Sequence, residues 1–196
     1  MEQLASLEPE NLIGAHGPPF SGQQEIKKII INYRDTLQFL WDQTVRCANK
    51  GLTLNETINV IKLPRQFSDH YTTQQLYGLV EHHVRQIYTG LFGWFDEDEA
   101  NLFPVPLPER SQRLVEGFGG KARVREIIDA SLTKNDFRWA IELSSWLVRG
   151  NFNDLGIADA GELEDRNRLA SALRGVAYTT SAANIRNWCI TRAVSY

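Results

Sequence analysis

Apolar positions return at three- and four-residue steps along most of the chain and almost nowhere at every second residue, a pattern that predicts helices and little sheet. The longest such stretch covers residues 23–50, with Ile26, Ile29, Ile30, Tyr33, Leu37, Leu40, Trp41 and Val45 on one side. At 1.5 Å per residue, that helix is about 40 Å long. Gly51 stands where a glycine closes a helix. Thr53-Leu-Asn-Glu56 has the spacing of a capping box, which opens a short helix to about residue 62 that Pro64 ends. Thr72 or Thr73 is expected to cap the next helix, whose stripe of Leu76, Leu79, Val80, His83, Val84 and Ile87 runs on to Leu91 and the aromatic segment Gly90-Leu-Phe-Gly-Trp-Phe. Further helices are expected over residues 109–116, 121–133, 137–149, 160–176 and 182–195.

The first 22 residues differ in kind. Residues 2–7 read as the end of a helix, residues 11–15 as a short strand, and His16-Gly-Pro-Pro as a turn. A lone strand leaves its backbone groups unpaired, so residues 1–22 read as the tail of a larger α/β layer and residues 23–196 as an all-helical domain. Pro104, Pro106 and Pro108 make an extended linker at 103–108, the expected internal boundary. The Asn135-Asp-Phe-Arg-Trp-Ala-x-x-Leu pattern resembles one tetratricopeptide-like helical hairpin, without the repeat of about 34 residues that would make a solenoid. The fold class expected is all-α, with a long first helix followed by helical hairpins.

Composition narrows the function. With 196 residues, 42% hydrophobic and 23% charged, the chain has the balance of one ordinary domain, or one domain plus a remnant of another. A net charge of −3 with scattered Lys and Arg gives no footprint for nucleic acid or anionic lipid. Cys47 and Cys189 lie far apart and outside any CxxC or Cys/His cluster, so they are expected as reduced, buried thiols. No apolar run approaches the roughly 20 residues of a membrane span, and the acidic start is not a signal peptide. The chain reads as soluble and cytoplasmic, or as periplasmic or secreted if a leader precedes it.

Few residues offer chemistry. His16, at the mouth of a strand and followed by a rigid Gly-Pro-Pro turn, is placed as metallohydrolases place a zinc ligand; on spacing alone it is more often an ordinary turn histidine. No H-x-H-x-D-H cluster accompanies it. His70 is isolated, and His82 and His83 diverge by about 100° on a helix, too far to chelate one ion. His83 falls in the apolar stripe as a core histidine. His82 shares a polar sector with Gln75, Arg85 and Thr89 that could receive an anion or simply face solvent. There is no G-x-S-x-G and no P-loop, and Asp96-Glu-Asp-Glu99 lacks EF-hand spacing.

Taken in order, Ala15-His-Gly-Pro-Pro-x-x-Gly22, Tyr33-Arg-Asp-x-x-Gln38-x-x-x-Asp42-Gln-Thr-Val-Arg46, Asn49-Lys-Gly51, Leu63-Pro64, Tyr77-Gly through His82, Tyr88, Gly93-Trp-Phe-Asp96, Ala100-Asn-Leu102, Arg138-Trp-Ala-x-x-Leu143 and Arg186-Asn resemble the alkylsulfatase branch of the metallo-β-lactamase superfamily. The resemblance implies a homodimer-forming helical domain. In that family an αββα domain upstream holds two zinc ions and cleaves alkyl sulfate esters, and a sterol-carrier-like domain often follows. His16 falls on the histidine that closes the zinc site, so zinc is expected in the complete enzyme and absent from this chain alone. His82 and Trp94, with Arg85 beside them, match the stretch that approaches an alkyl sulfate-like substrate, and Tyr33, Leu37, Leu40 and Trp41 are the expected dimer interface.

Departures are plain. Glu81 and His83 flank His82 where small polar residues are usual, and the carboxylates of 96–99 would repel an anion, so that turn faces solvent or substrate handling is altered. Residues 150–161 and Arg174-Gly-Val-Ala-Tyr also depart, which leaves the last two helices free to pack differently. The reading is a dimerising, site-covering portion of a hydrolase that needs its catalytic domain upstream. The alternatives are a standalone homo-oligomerisation module and a separate catalytic chain that this one completes.

Overall fold

The computed structural model describes residues 1–150 and 162–196. The chain forms two compact units, Met1–Leu102 and Phe103–Tyr196. Apart from one two-stranded ladder, the regular elements among the described residues are helices, so the fold is all-α.

The first unit begins with α1 (Glu2–Ser6), β1 (Asn11–Leu12) and β2 (Phe20–Ser21). The expected lone strand is corrected here. β1 pairs antiparallel with β2, Leu12 opposite Phe20, and the Ser21 hydroxyl donates to Asn11 Oδ1 at 2.8 Å. The strand signal extended to residue 15 because Ile13 is apolar, but the ladder closes after two residues and Ile13 is exposed.

Helix α2 (Gln23–Ala48) buries Ile26, Ile29, Ile30, Leu40 and Cys47. It closes as the glycine signal implied. Gly51 is left-handed (φ 78°), and the amides of Gly51 and Leu52 donate to the carbonyls of Ala48 and Cys47. The capping box is present at the start of α3 (Leu54–Val60): the Glu56 amide donates to Thr53 Oγ1, and Glu56 Oε2 accepts from the Thr53 amide. A short turn α4 (Arg65–Ser68) follows. α5 (Val80–Phe92) then packs Val84 and Tyr88 into a core with Leu40, Cys47, Leu54, Ile58 and Ile61.

α5 starts later than the periodicity predicted. Residues 71–73 form a single 3-10 turn, and residues 74–79 are not helical. Thr73 caps no helix. Its hydroxyl turns back onto the Phe67 and His70 carbonyls and accepts from Asn32 of α2 at 3.3 Å. The side chain that meets the true start of α5 is Gln75, whose Oε1 accepts from the Val80 amide at 2.7 Å.

The second unit is a run of helices, α6 (Leu107–Gly117), α7 (Lys121–Thr133), α8 (Phe137–Arg149), α9 (Leu163–Thr179) and α10 (Ala183–Val194), each packed on its neighbour or next neighbour. α7 and α8 have the predicted bounds. The proline segment is shorter than expected because Pro108 sits in the first turn of α6, where a missing N–H costs nothing. Residues 160 and 161 of the helix expected over 160–176, and the departing segment beyond Gly150, lie outside the described residues.

Two apolar clusters carry this unit, one around Val124, Ile128, Leu143 and Leu147, the other around Val148, Leu173, Cys189 and Ala193. An ionic clamp joins α7 to the start of α9. Arg125 donates twice to Asp165 (2.8 and 2.9 Å) and once to Glu162 (2.6 Å), and Arg168 grips Asp129 through two bonds. Asp165 is 1% exposed, so its charge is tolerated only because these guanidinium groups reach it. Its hydrogen bond holds the Arg125 guanidinium further above its already high pKa than burial can lower it.

Candidate functional site

His16 lies in the loop between β1 and β2, and the fold grips that loop from the 70s segment. Gly17 adopts φ 87°, a left-handed conformation that favours glycine, and a Cβ there would also stand a tight 3.1 Å from the Tyr71 hydroxyl. The Tyr71 ring also meets Phe20 at 6.4 Å between centroids. The exposed imidazole of His16 stacks on Tyr77, centroids 5.1 Å apart and planes 22° from parallel. Periodicity did not single out Tyr71 and Tyr77 as neighbours of His16: Tyr71 precedes the expected helix, Tyr77 falls inside it, and only the glycine at 78 signalled a break.

His83 covers Gly78, whose added Cβ would meet His83 Nε2 at 2.5 Å. It is not the core histidine its periodic position suggested. The residue is exposed at the first turn of α5, with its ring laid over a glycine, and partial burial followed by repulsion from His82 lowers its pKa. His82 is exposed and 3.7 Å from Glu81. Arg85 and Thr89 are exposed one and two turns on, but Gln75 is not on the helix, so the four-residue polar sector is reduced to His82, Arg85 and Thr89.

Trp94 is 75% exposed and leans on Phe95 with centroids 5.5 Å apart. The acidic run beyond it is an internally bonded turn. Asp96 accepts from the Asp98 amide and Asn101 Nδ2, Asp98 accepts from the Ala100 amide, and the Asp96 carbonyl accepts from the Leu54 amide. The structure thus links His16, Tyr77, Gly78 and His83 through consecutive contacts. It does not gather the histidines into a metal cluster: no group of three His, Cys, Asp or Glu side chains suited to a metal occurs among the described residues.

On α2, Tyr33, Leu37 and Trp41 recur at four-residue steps and are each half exposed. Leu40, expected with them, is 3% exposed and packs into the core of its own unit, because it lies about 100° round the helix from Trp41, on the side of buried Ile29 and Cys47. In the second unit a shallow cleft of about 350 Å³ is lined by Arg123, Glu126, Lys134 and Trp139 among others, with Arg123 already paired to Glu126 at 2.8 Å.

The family model for alkyl sulfatase dimerisation matches residues 53–196. This chain belongs to the alkyl sulfatase dimerisation family. As an alkyl sulfatase dimerisation domain it is 33% identical, over 196 residues, to a linear primary-alkylsulfatase of Pseudomonas sp., covering 99% of this chain and 35% of that protein. It is 31% identical over 176 residues to an alkyl/aryl-sulfatase of Saccharomyces cerevisiae, covering 90% of this chain and 26% of that protein. The solved structure of a stereoselective inverting sec-alkylsulfatase from Pseudomonas sp. superposes with a TM-score of 0.86 at 30% identity, over 99% of this chain and 29% of that one. The domain therefore spans about a third or less of the relatives it matches. No helix among its described residues is long and apolar enough to cross a membrane.

Proposed function

We propose that this domain pairs two copies of a zinc-dependent alkyl sulfate ester hydrolase, and that in each copy it contributes His16 to the zinc site and His82, Arg85 and Trp94 to the wall facing the substrate. The observation that carries the pairing is the row Tyr33, Leu37 and Trp41, apolar and half exposed on the longest helix of a family named for dimerisation. An interface built on such a row repeats itself about a two-fold axis. A stable homodimer buries roughly 2,000 Å² or more, so neighbouring surface joins the row.

For zinc, the residues present fit one corner of a site. The His16 imidazole is exposed, and its contact is through the ring face, so both edge nitrogens can reach an ion. No group of three such donors occurs among the described residues, and on this reading the remaining ligands come from the catalytic domain expected upstream. When bound, zinc supplies a water of lowered pKa and a Lewis acid for the ester oxygen. The chain's own part is to present one neutral imidazole and a cationic, aromatic wall: Arg85 offers a fixed positive charge to a sulfate, and exposed Trp94 offers an apolar face to an alkyl chain.

Light scattering tests the pairing directly. The chain is expected at twice its 22.3 kDa at micromolar concentration, and Leu37→Glu with Trp41→Glu is expected to return it to a monomer. A native chain that stays monomeric overturns the pairing. In protein of native length, His16→Ala is expected to lower bound zinc and alkyl sulfate hydrolysis together. A dimer whose zinc content ignores that substitution leaves the standalone oligomerisation reading in its place.

A further inference from the structure

We propose that Tyr77 is a positioning residue for His16: the segment 71–79 of the helical unit sets the plane of the imidazole and the path of its loop, leaving the nitrogen-bearing edge open. The inference rests on the reading of His16 as a ligand only for its consequence. The clamp itself stands on geometry.

Three observations converge on it. The His16 ring lies face to face with Tyr77, 5.1 Å between centroids and 22° between planes. One residue further along the loop, Gly17 is in contact range of the Tyr71 hydroxyl, and Phe20 leans on the Tyr71 ring. The loop is thus held at two points by two tyrosines six positions apart. The segment that carries them is in turn fixed at both ends: Thr73 is bonded to the Phe67 and His70 carbonyls and to Asn32 of α2, and Gln75 to the first amide of α5.

This accounts for the late start of α5. Continued helix through residues 73–79 would turn Tyr77 by about 100° per residue away from its present neighbours, whereas the bent, non-helical path presents Tyr71 and Tyr77 to the same loop.

A metal ion meets imidazole in the ring plane, at a nitrogen lone pair, whereas a stacking partner occupies the face. The Tyr77 contact therefore restrains rotation of the ring without competing for the nitrogens. Metal-bound histidines are ordinarily oriented by a hydrogen bond from the second nitrogen; here the His16 ring makes no hydrogen bond among the described residues, and the stack takes over that orienting part.

The test is nuclear magnetic resonance on the chain as it stands. Ring-to-ring nuclear Overhauser contacts between His16 and Tyr77 are expected, and the His16 Cε1 proton is expected upfield of free histidine from the tyrosine ring current. Tyr77→Phe keeps that shift, and Tyr77→Leu moves it to the free-histidine position with the circular dichroism unchanged, since the Tyr77 side chain is half exposed. Absent Overhauser contacts, or a His16 shift indifferent to Tyr77→Leu, overturn the clamp. In protein of native length, Tyr77→Leu is expected to weaken zinc retention about tenfold, the size usual for an orienting neighbour, with Tyr77→Phe restoring it. If the shift responds as expected but His16→Ala leaves zinc untouched, the clamp stands and the ligand reading falls.

Discussion

Single residues decide local packing here against their own propensities. Gly175 sits inside α9, where alanine would be favoured by about 1 kcal/mol. A Cβ at that position would stand 2.3 Å from ring carbons of Phe137 at the start of α8, so glycine is what lets that ring pack against α9. Gly175→Ala is expected to destabilise the second unit by about 1–3 kcal/mol in urea unfolding, an overpacking cost larger than the propensity gain. In a Phe137→Ala background the same change should be neutral or stabilising. His83 offers a second residue-scale prediction. Burial and then His82 place its folded pKa below that of an ordinary histidine, so the fold favours the neutral ring. Its contribution to stability is complete above that value and is lost as pH falls through the lowered one. Proton NMR titration is expected to give a His83 midpoint below that of an ordinary histidine, moving up in His82→Gln.

At the scale of elements, polar groups fix where helices start and how they are held together. Thr53 and Glu56 cap α3 reciprocally, and the backbone bond to Thr53 holds the Glu56 carboxyl below its usual range. Thr53→Ala should cost about 1 kcal/mol, read as a lower unfolding midpoint, with the Glu56 titration moving up. The α7–α9 clamp is the larger case. Arg125→Ala would leave the Asp165 carboxylate buried with Arg168 at 3.7 Å in place of two short bonds. A loss of about 3 kcal/mol is expected in thermal or urea unfolding. Replacing both partners, Arg125→Met with Asp165→Leu, should recover much of it, because the penalty comes from the orphaned charge. Neither Arg125 nor Asp165 stood out in the sequence; a charge forty positions from its partner has no periodic signature.

For the whole molecule, the exposed row on α2 and the loop of His16 are two features of one unit with different partners. On the proposed reading the row suits a second copy, and the His16 edge suits metal donors that the described residues do not group around it. Self-association and zinc binding are therefore expected to separate by mutation: Leu37→Glu with Trp41→Glu should split the dimer by light scattering and leave the His16 Cε1 proton shift unchanged. Coupled loss of both would mean that pairing is needed to build the loop.

Helix content, the start of α2, the bounds of α7 and α8, the glycine closure at Gly51 and the capping box at Thr53 were legible in the sequence because each depends on neighbours within one or two turns. The family was legible too, through ordered motifs such as Tyr33 to Arg46 and Ala15 to Gly22. Tertiary structure alone decided what depends on distant partners. Thr73 was drawn to Phe67 and Asn32 and so capped no helix, β1 found β2 within the chain, Leu40 turned inward from a row its neighbours leave exposed, and Tyr77 came to lie on His16 across sixty residues of sequence. Propensity acts along the chain, but a hydroxyl, a strand edge or a ring face is satisfied by whatever the fold brings within reach, and that is set only when the chain has closed on itself.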